Sequence, residues 1–230
     1  MRDPVIIYED NHLLIAQKPP GFLAQPDGGP RPNLLGWAER YLARHKPGRA
    51  FVGLTHRLDR PVGGVMALAK TSKCAARLSR QFRERAARKF YLALVDGRLD
   101  GESGRLEQRL VREGALTRPA APGEEGRPAC LDWRLMRREG ALSLLGVNLH
   151  TGFKHQIRAQ LAALGCPVAG DAKYGSAIAP EGPAIGLWAA TLTIEHPVRR
   201  EMMTFESDPP DIPPWTRLGS GFQAGASEGG

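Results

Sequence analysis

The sequence predicts an α+β chain, a mixed and mostly antiparallel central sheet with flanking helices and loops. Three observations carry that prediction. Short apolar runs come in pairs separated by brief turn clusters, as antiparallel neighbours do. Three other stretches place apolar residues at helical spacing. No internal repeat and no compositional break divides the 230 residues, so residues 1–217 read as one domain.

In chain order, Val5–Tyr8 and Leu13–Gln17 flank the turn cluster Glu9-Asp10-Asn11 and form a hairpin. Lys18-Pro19-Pro20-Gly21 ends it abruptly, and Lys18 reads as a solvated loop lysine. Asn33 is placed to cap a helix whose stripe is Leu34, Trp37, Ala38, Tyr41 and Leu42. A basic loop follows at Arg44–Arg49. The apolar run Val65–Ala69 is a buried strand, entered through Gly63-Gly64. Thr71 or Ser72 caps a second helix, Lys73 to Ala87, with Ala75, Leu78, Phe82 and Ala86 on one face. Lys73, Arg77, Arg80 and Arg88 fall on the other, either as a solvated face or as a phosphate-contacting stripe.

Lys89–Val95 and Leu106–Val111 are strands, and Arg112–Arg127 is a surface loop rich in Gly, Pro and charge. Ala129–Met136 and Ala141–Leu149 make a second hairpin. Ile157, Leu161 and Leu164 line a third helix, stopped by Gly165 at the C′ position. Arg158 sits at the margin of that stripe, where a half-buried charge needs a partner. Ile185–Glu195 is a long apolar strand, and Glu201–Phe205 pairs back on it. The tail 218–230 is Gly, Ser and Ala with little apolar content, and disorder is expected there.

With 42% hydrophobic residues, a chain of this length has ample core. Its formal net charge of +8 and pI near 9.8 make nucleic acid the leading partner. Three widely spaced cysteines, Cys74, Cys130 and Cys166, suggest neither a disulfide framework nor a zinc site. With no apolar leader in MRDPVIIYED and no spanning segment, the expectation is cytoplasmic, with no membrane partner.

The stretch around which the rest is arranged is THRLDRPVGGVMALAKT, Thr55 to Thr71. His56, Arg57 and Asp59 sit on a loop at the entrance of a buried strand, where a rigid element can aim them at a ligand. HRLD followed by Gly-Gly and an apolar strand resembles the signature of the RluA-type pseudouridine synthases. Further motifs follow in that family's order: the opening YEDNHLLIAQKPPG, Lys-x-Tyr at Lys89–Tyr91, TGFKHQIR with GDAKYG at Thr151–Gly175, and IGLWAATLTIEHP at its close. The resemblance spans about residues 5 to 206, with no separate N-terminal S4-like domain.

The resemblance implies an enzyme that isomerises a uridine within tRNA or ribosomal RNA, with no cofactor and no metal. Asp59 would supply the catalytic carboxylate, paired with Arg158. Tyr91 would stack on the uracil and help remove the C5 proton. Arg57 would fill the space left by the extruded base, with His56, Lys154 and Leu187 completing the RNA-binding and base-flipping set. Monomer is the default. Several positions depart from the family pattern. Val62-Gly63-Gly64 stands for Thr-Ser-Gly, Phe153 for the Arg of TGRK, Gln160 for a His, and Trp188 for the His of Leu-His-Ala. These motivate one alternative, a catalytically weak RNA-binding or remodelling paralogue. A hydrolase using His56 and Asp59 is a third reading, set back because phosphodiester hydrolysis normally wants a metal cluster.

Overall fold

Alternating burial along the strands sets which face of the sheet each side chain meets. The computed structural model describes residues 2–45 and 51–218. Its elements are β1 (Val5–Glu9), β2 (Leu13–Lys18), α1 (Leu34–His45), β3 (Gly53–Leu54), β4 (Gly63–Ala69), α2 (Ser72–Arg83), β5 (Arg88–Asp96) and β6 (Ser103–Glu113). There follow β7 (Leu116–Pro119), β8 (Arg127–Glu139), β9 (Leu142–Leu149), α3 (Gln156–Ala163), β10 (Leu187–Glu195) and β11 (Met202–Glu206), with single 3-10 turns at Ala172–Tyr174 and Trp215–Leu218. One sheet runs in the order β1-β2-β4-β10-β5-β9-β8-β6-β7, with β3 on β4 and β11 on β10. Among the described strands all pairings are antiparallel but one, the short parallel contact of Trp188 and Ala189 with Gly63 and Gly64.

That parallel contact joins the two halves of the sheet. β5 occupies one edge of β10, so β4 and then β11 must share the other. The approach leaves no room for side chains at the start of β4. A Cβ at Gly63 would lie 2.2 Å from Trp188 Cζ3, and one at Gly64, whose φ is +120°, would lie 2.2 Å from the carbonyl oxygen of Ala189. Two of the departures from the family pattern are therefore one packing solution, since the Trp188 indole occupies the space a residue-63 side chain would need. The indole is fully buried, and its Nε1 donates to Ser207 O at 2.7 Å.

β4 is buried on both sides, as a strand between two layers must be. Met66 and Leu68 join Leu14, Leu34, Tyr91, Leu145, Ile157 and Leu161 on the face covered by α1 and α3. Val65, Ala67 and Ala69 pack with Cys74 and Leu78 of α2 on the other. Trp188, Leu92, Leu144, Trp215 and Leu218 form a third cluster.

The predicted caps and hairpins are present. Asn33 Oδ1 accepts from Gly36 N at 2.8 Å, Thr71 Oγ1 from Cys74 N at 3.2 Å, and Gly165 turns the chain out of α3 at φ +74°. Boundaries moved where tertiary contacts intervene. α2 stops at Arg83, four residues before the predicted end, and Arg85 at φ +62° turns the chain into β5. Its Gln81 clamps the backbone of Glu195 through both side-chain atoms, at 2.8 and 2.9 Å. The predicted surface loop 112–127 holds a strand, because Leu116–Pro119 pairs with β6. Leu218, assigned to the disordered tail, is buried against the third cluster, since its apolar side chain finds Trp215 and β10 there. The rest of that tail and most of the basic loop at 44–49 lie outside the described residues.

Candidate active site

Asp59 and Arg158, 99 residues apart, meet in a cleft of about 1230 Å³. Arg158 Nη1 donates to Asp59 Oδ2 at 3.0 Å. The contact follows from local structure on both sides. Asp59 lies in a tight turn closed by Val62 N on Asp59 O at 3.1 Å, just before Gly63 enters β4. Arg158 leaves the first turn of α3, whose apolar side is pinned in the core by Ile157 and Leu161.

Arg158 is held more firmly from behind. Its Nε and Nη2 donate to Asp171 Oδ2 and Oδ1 at 2.6 and 2.9 Å, a bidentate pair in which both side chains are nearly inaccessible. Its guanidinium also lies over the Tyr174 ring, 4.8 Å from the centroid. Asp59 is 24% exposed, which leaves it open to the cleft. The predicted Asp59–Arg158 pair is thus present, but it is the outer half of a triad. Asp171 belongs to the GDAKYG motif, so the sequence held its signal; what it lacked was the geometry that makes Asp171 the main anchor.

His155 starts α3 in the left-handed region, φ +57°. Its Nε2 lies 3.6 Å from Asp59 Oδ2 and its Nδ1 is 2.9 Å from Tyr174 Oη, which itself accepts from Thr117 N at 3.0 Å. That network assigns the neutral tautomer with the proton on Nε2, facing Asp59. Burial pushes the imidazole down to about 4, against the pull of Asp59, so it is uncharged near neutrality.

Lys18 corrects the expectation of a solvated lysine. It is fully buried, and its ammonium donates to the carbonyls of Phe22, Pro19 and Arg60 at 2.8, 3.1 and 3.4 Å. The three carbonyls converge only in the folded chain, where they tie the end of β2 to the Asp59 turn. Burial lowers its pKa to about 7, with Asp59 pulling it back up.

Tyr91 and Leu187 both line the cleft, 8% and 4% exposed. Their strands pair so that Leu187 faces Ala93 and Ala189 faces Tyr91, which sets both side chains on the Asp59 side of the sheet. Burial, then the charge of Asp59, raises the Tyr91 pKa. It is a phenol at neutral pH. Arg57 and Lys154 are exposed at the cleft. His56 has a different task. Its Nε2 accepts from Ala67 N at 2.9 Å and its ring stacks on Phe82 at 4.3 Å, with burial lowering its pKa to about 3. It is a neutral brace between the loop and β4, which also removes it as a hydrolase acid–base partner for Asp59.

The basic stripe predicted on α2 is not what faces the cleft. Arg77 donates to Pro197 O and Arg88 sits on β5; Arg83, Arg85 and Lys89 line the cleft instead, because the helix ends early. Among the described residues, ten Lys and Arg line it against three Asp. Of the departures at Phe153, Gln160 and Trp188, only Phe153 lines the cleft. Gln160 is buried and donates to Leu106 O at 3.3 Å.

One cluster escaped the sequence reading. Cys130 and Asp132 on β8 and His150, just past β9, bring ligand-type atoms within 4.8 Å of one another, and their separation in sequence hid them. His150 Nε2 lies 2.6 Å from Asp132, and Arg105 reaches both Asp132 and Glu107, so these carboxylates already have cationic partners.

Comparison with known proteins agrees with this geometry. The family described as RNA pseudouridylate synthase matches residues 12–163. The ribosomal large subunit pseudouridine synthase D of Nitrosomonas europaea is 33% identical over 217 residues, 90% of this chain, which spans 62% of that relative's length. The dual-specificity RNA pseudouridine synthase RluA of Haemophilus ducreyi is 32% identical over 209 residues, covering 88% of this chain and 92% of its own. Among solved structures, human RNA pseudouridylate synthase domain containing 4 shares the fold, with TM-score 0.74 at 20% identity over 89% of this chain and 88% of its own. A carboxylate turn clasped by a buried arginine, on this sheet and with these motifs in this order, places the chain in the RNA pseudouridylate synthase family, among its RluA-type members.

Proposed function

We propose that this chain is an RNA pseudouridine synthase that isomerises particular uridines in tRNA or ribosomal RNA to pseudouridine. The observation that carries the reading is the Asp59–Arg158 bond, 3.0 Å long, in a basic cleft also lined by Tyr91 and Leu187. The names of the relatives support it.

In this reading RNA binds along the Arg and Lys side chains of the cleft, and the target base leaves its stack at a cost of a few kcal/mol. Arg57 fills the vacated space. Its planar guanidinium can stack and donate to phosphate together. The uracil enters between Tyr91 and Leu187. Asp59 supplies the ionised carboxylate that starts cleavage of the C1′–N1 bond. Arg158 keeps that carboxylate oriented through its hydrogen bond once RNA excludes water. The base rotates, C5 bonds to C1′, the C5 proton passes to water, and N1, freed from C1′, takes a proton from water. Tyr91 acts as a stacking wall for the uracil, and burial, which raises its pKa, works against a role as the base. The chemistry draws on no cofactor, and we take the chain to work as a monomer. The three free cysteines suit a reducing, cytoplasmic compartment.

RNA carrying tritium at uridine C5 tests the reading. The wild-type chain should release label to water, and Asp59→Asn should abolish release while retaining RNA binding. Release that persists in that variant would overturn the role of Asp59. Mapping pseudouridines in total RNA with and without the protein identifies the substrate.

A further inference from the structure

We propose that Phe153 and Arg127 form a second nucleobase site, a stacking shelf for a nucleotide next to the extruded uridine. The inference rests on the function proposed above and adds a specificity-determining site to it. The Arg127 guanidinium lies 5.5 Å from the centroid of the Phe153 ring. Both residues line the cleft; Arg127 is exposed and Phe153 half-buried. Among the described residues, no carboxylate comes within ion-pair distance of Arg127.

The loop carrying Phe153 is fixed by bonds unrelated to its ring. Gln156 Oε1 accepts from Phe153 N at 3.1 Å and from Thr151 Oγ1 at 2.8 Å, and Gln156 Nε2 donates to Cys130 O at 3.1 Å. Thr117 Oγ1 donates to Lys154 O at 2.8 Å. The backbone is over-determined, so the ring is presented without further ordering on binding. Phe153 is also close to the chemistry. It lies two residues from His155, whose Nε2 is 3.6 Å from Asp59, so the Cα atoms of Phe153 and His155 are at most about 7 Å apart.

A half-buried aromatic ring at the cleft with a guanidinium over one face, and no carboxylate pairing that guanidinium among the described residues, suits one ligand class: a planar base joined to a phosphate. Stacking of a base on an aromatic side chain is worth about 1–3 kcal/mol. With a base stacked on the ring, the Arg127 guanidinium would meet the adjoining phosphate. Arg112 on β6 and Lys154 flank the pair and add charge without competing for the ring.

The test uses the full chain and two fluorescein-labelled probes: heptauridylate, and a ribose-phosphate strand of the same length without bases. Phe153→Ala and Phe153→Leu should weaken heptauridylate binding about 5- to 150-fold, the range of one stacked base. Phe153→Trp should restore it. None of the three should alter binding of the abasic strand. Arg127→Ala should weaken both probes and reduce the slope of log affinity against log salt by about one. Unchanged heptauridylate binding in Phe153→Leu, or equal losses on both probes, overturns the proposal. Because binding is read without turnover, failure here leaves tritium release by the wild-type chain intact. Absence of that release would instead refute the proposed function.

Discussion

Replacing Asp171 with asparagine tests the claim that Arg158 is anchored from behind and merely touches Asp59 in front. Arg158 is 3% and Asp171 2% exposed, and two charged hydrogen bonds of 2.6 and 2.9 Å join them. In Asp171→Asn the amide nitrogen faces a guanidinium donor, and a buried cation is left with one carboxylate. Breaking a buried pair on one side costs about 3–5 kcal/mol. For a chain of this size each kcal/mol moves the midpoint by about 2–4 °C, so the melting temperature should fall by roughly 6–20 °C. Asp59→Asn loses a single 3.0 Å bond on a side chain that is partly solvated, while Asp171 still neutralises Arg158. Its cost should be about 1–2 kcal/mol. Activity should order them the other way. Asp59→Asn should release no tritium, whereas Asp171→Asn should lower kcat with little change in KM, since Asp171 acts through Arg158. Thermal melts and tritium release on both variants supply the comparison. If Asp59→Asn destabilises as much as Asp171→Asn, the anchoring argument is wrong.

Three further outcomes are expected. Gly63→Ser should cost at least about 2 kcal/mol, because its Cβ would overlap a fully buried indole, and Trp188→His in the same chain should recover part of the loss; strictly additive effects in a double-mutant cycle would contradict the shared-space account. Acid should destabilise the fold between pH 6.5 and about 4, where the unfolded chain protonates His155 and the folded one does not. The share of His155 should be at most roughly 3 kcal/mol, at about 1.36 kcal/mol per pH unit and less where the open cleft screens the ring, and is complete by about pH 4, while His56, lowered to about 3, adds its own loss down to that pH; urea midpoints of His155→Gln should lack the His155 share of the pH slope. Asp10→Ala should cost about 2–4 kcal/mol while leaving tritium release per folded molecule unchanged. Asp10 accepts from His12 N and Leu13 N at 2.7 Å each and lies 2.9 Å from Nε2 of the fully buried His196, away from the residues that line the cleft.

Much of the fold was legible because burial alternates along strands and recurs along helices. The apolar runs Leu13 to Ala16 and Val65 to Ala69 announce strands between two layers, and Leu34 to Leu42 announces a one-sided helix. The candidate acid was legible for a different reason: HRLD, TGFKHQIR and GDAKYG are local strings. The ends of elements were not, since α2 stops where Gln81 grips β10 and β7 exists because β6 offers it an edge.

The sequence by itself determined the fold class, the family resemblance and the candidates Asp59, Tyr91 and Arg158, because each depends on spacing or on a short motif. Only the tertiary structure decided what those groups touch. It placed Asp171 behind Arg158, buried Lys18 among three carbonyls, turned His56 into a brace, and set Arg127 over Phe153. Most of these are contacts between strands or loops distant along the chain. Hydrogen bonds and stacking act over a few ångströms of space, and no periodicity in the sequence encodes that distance.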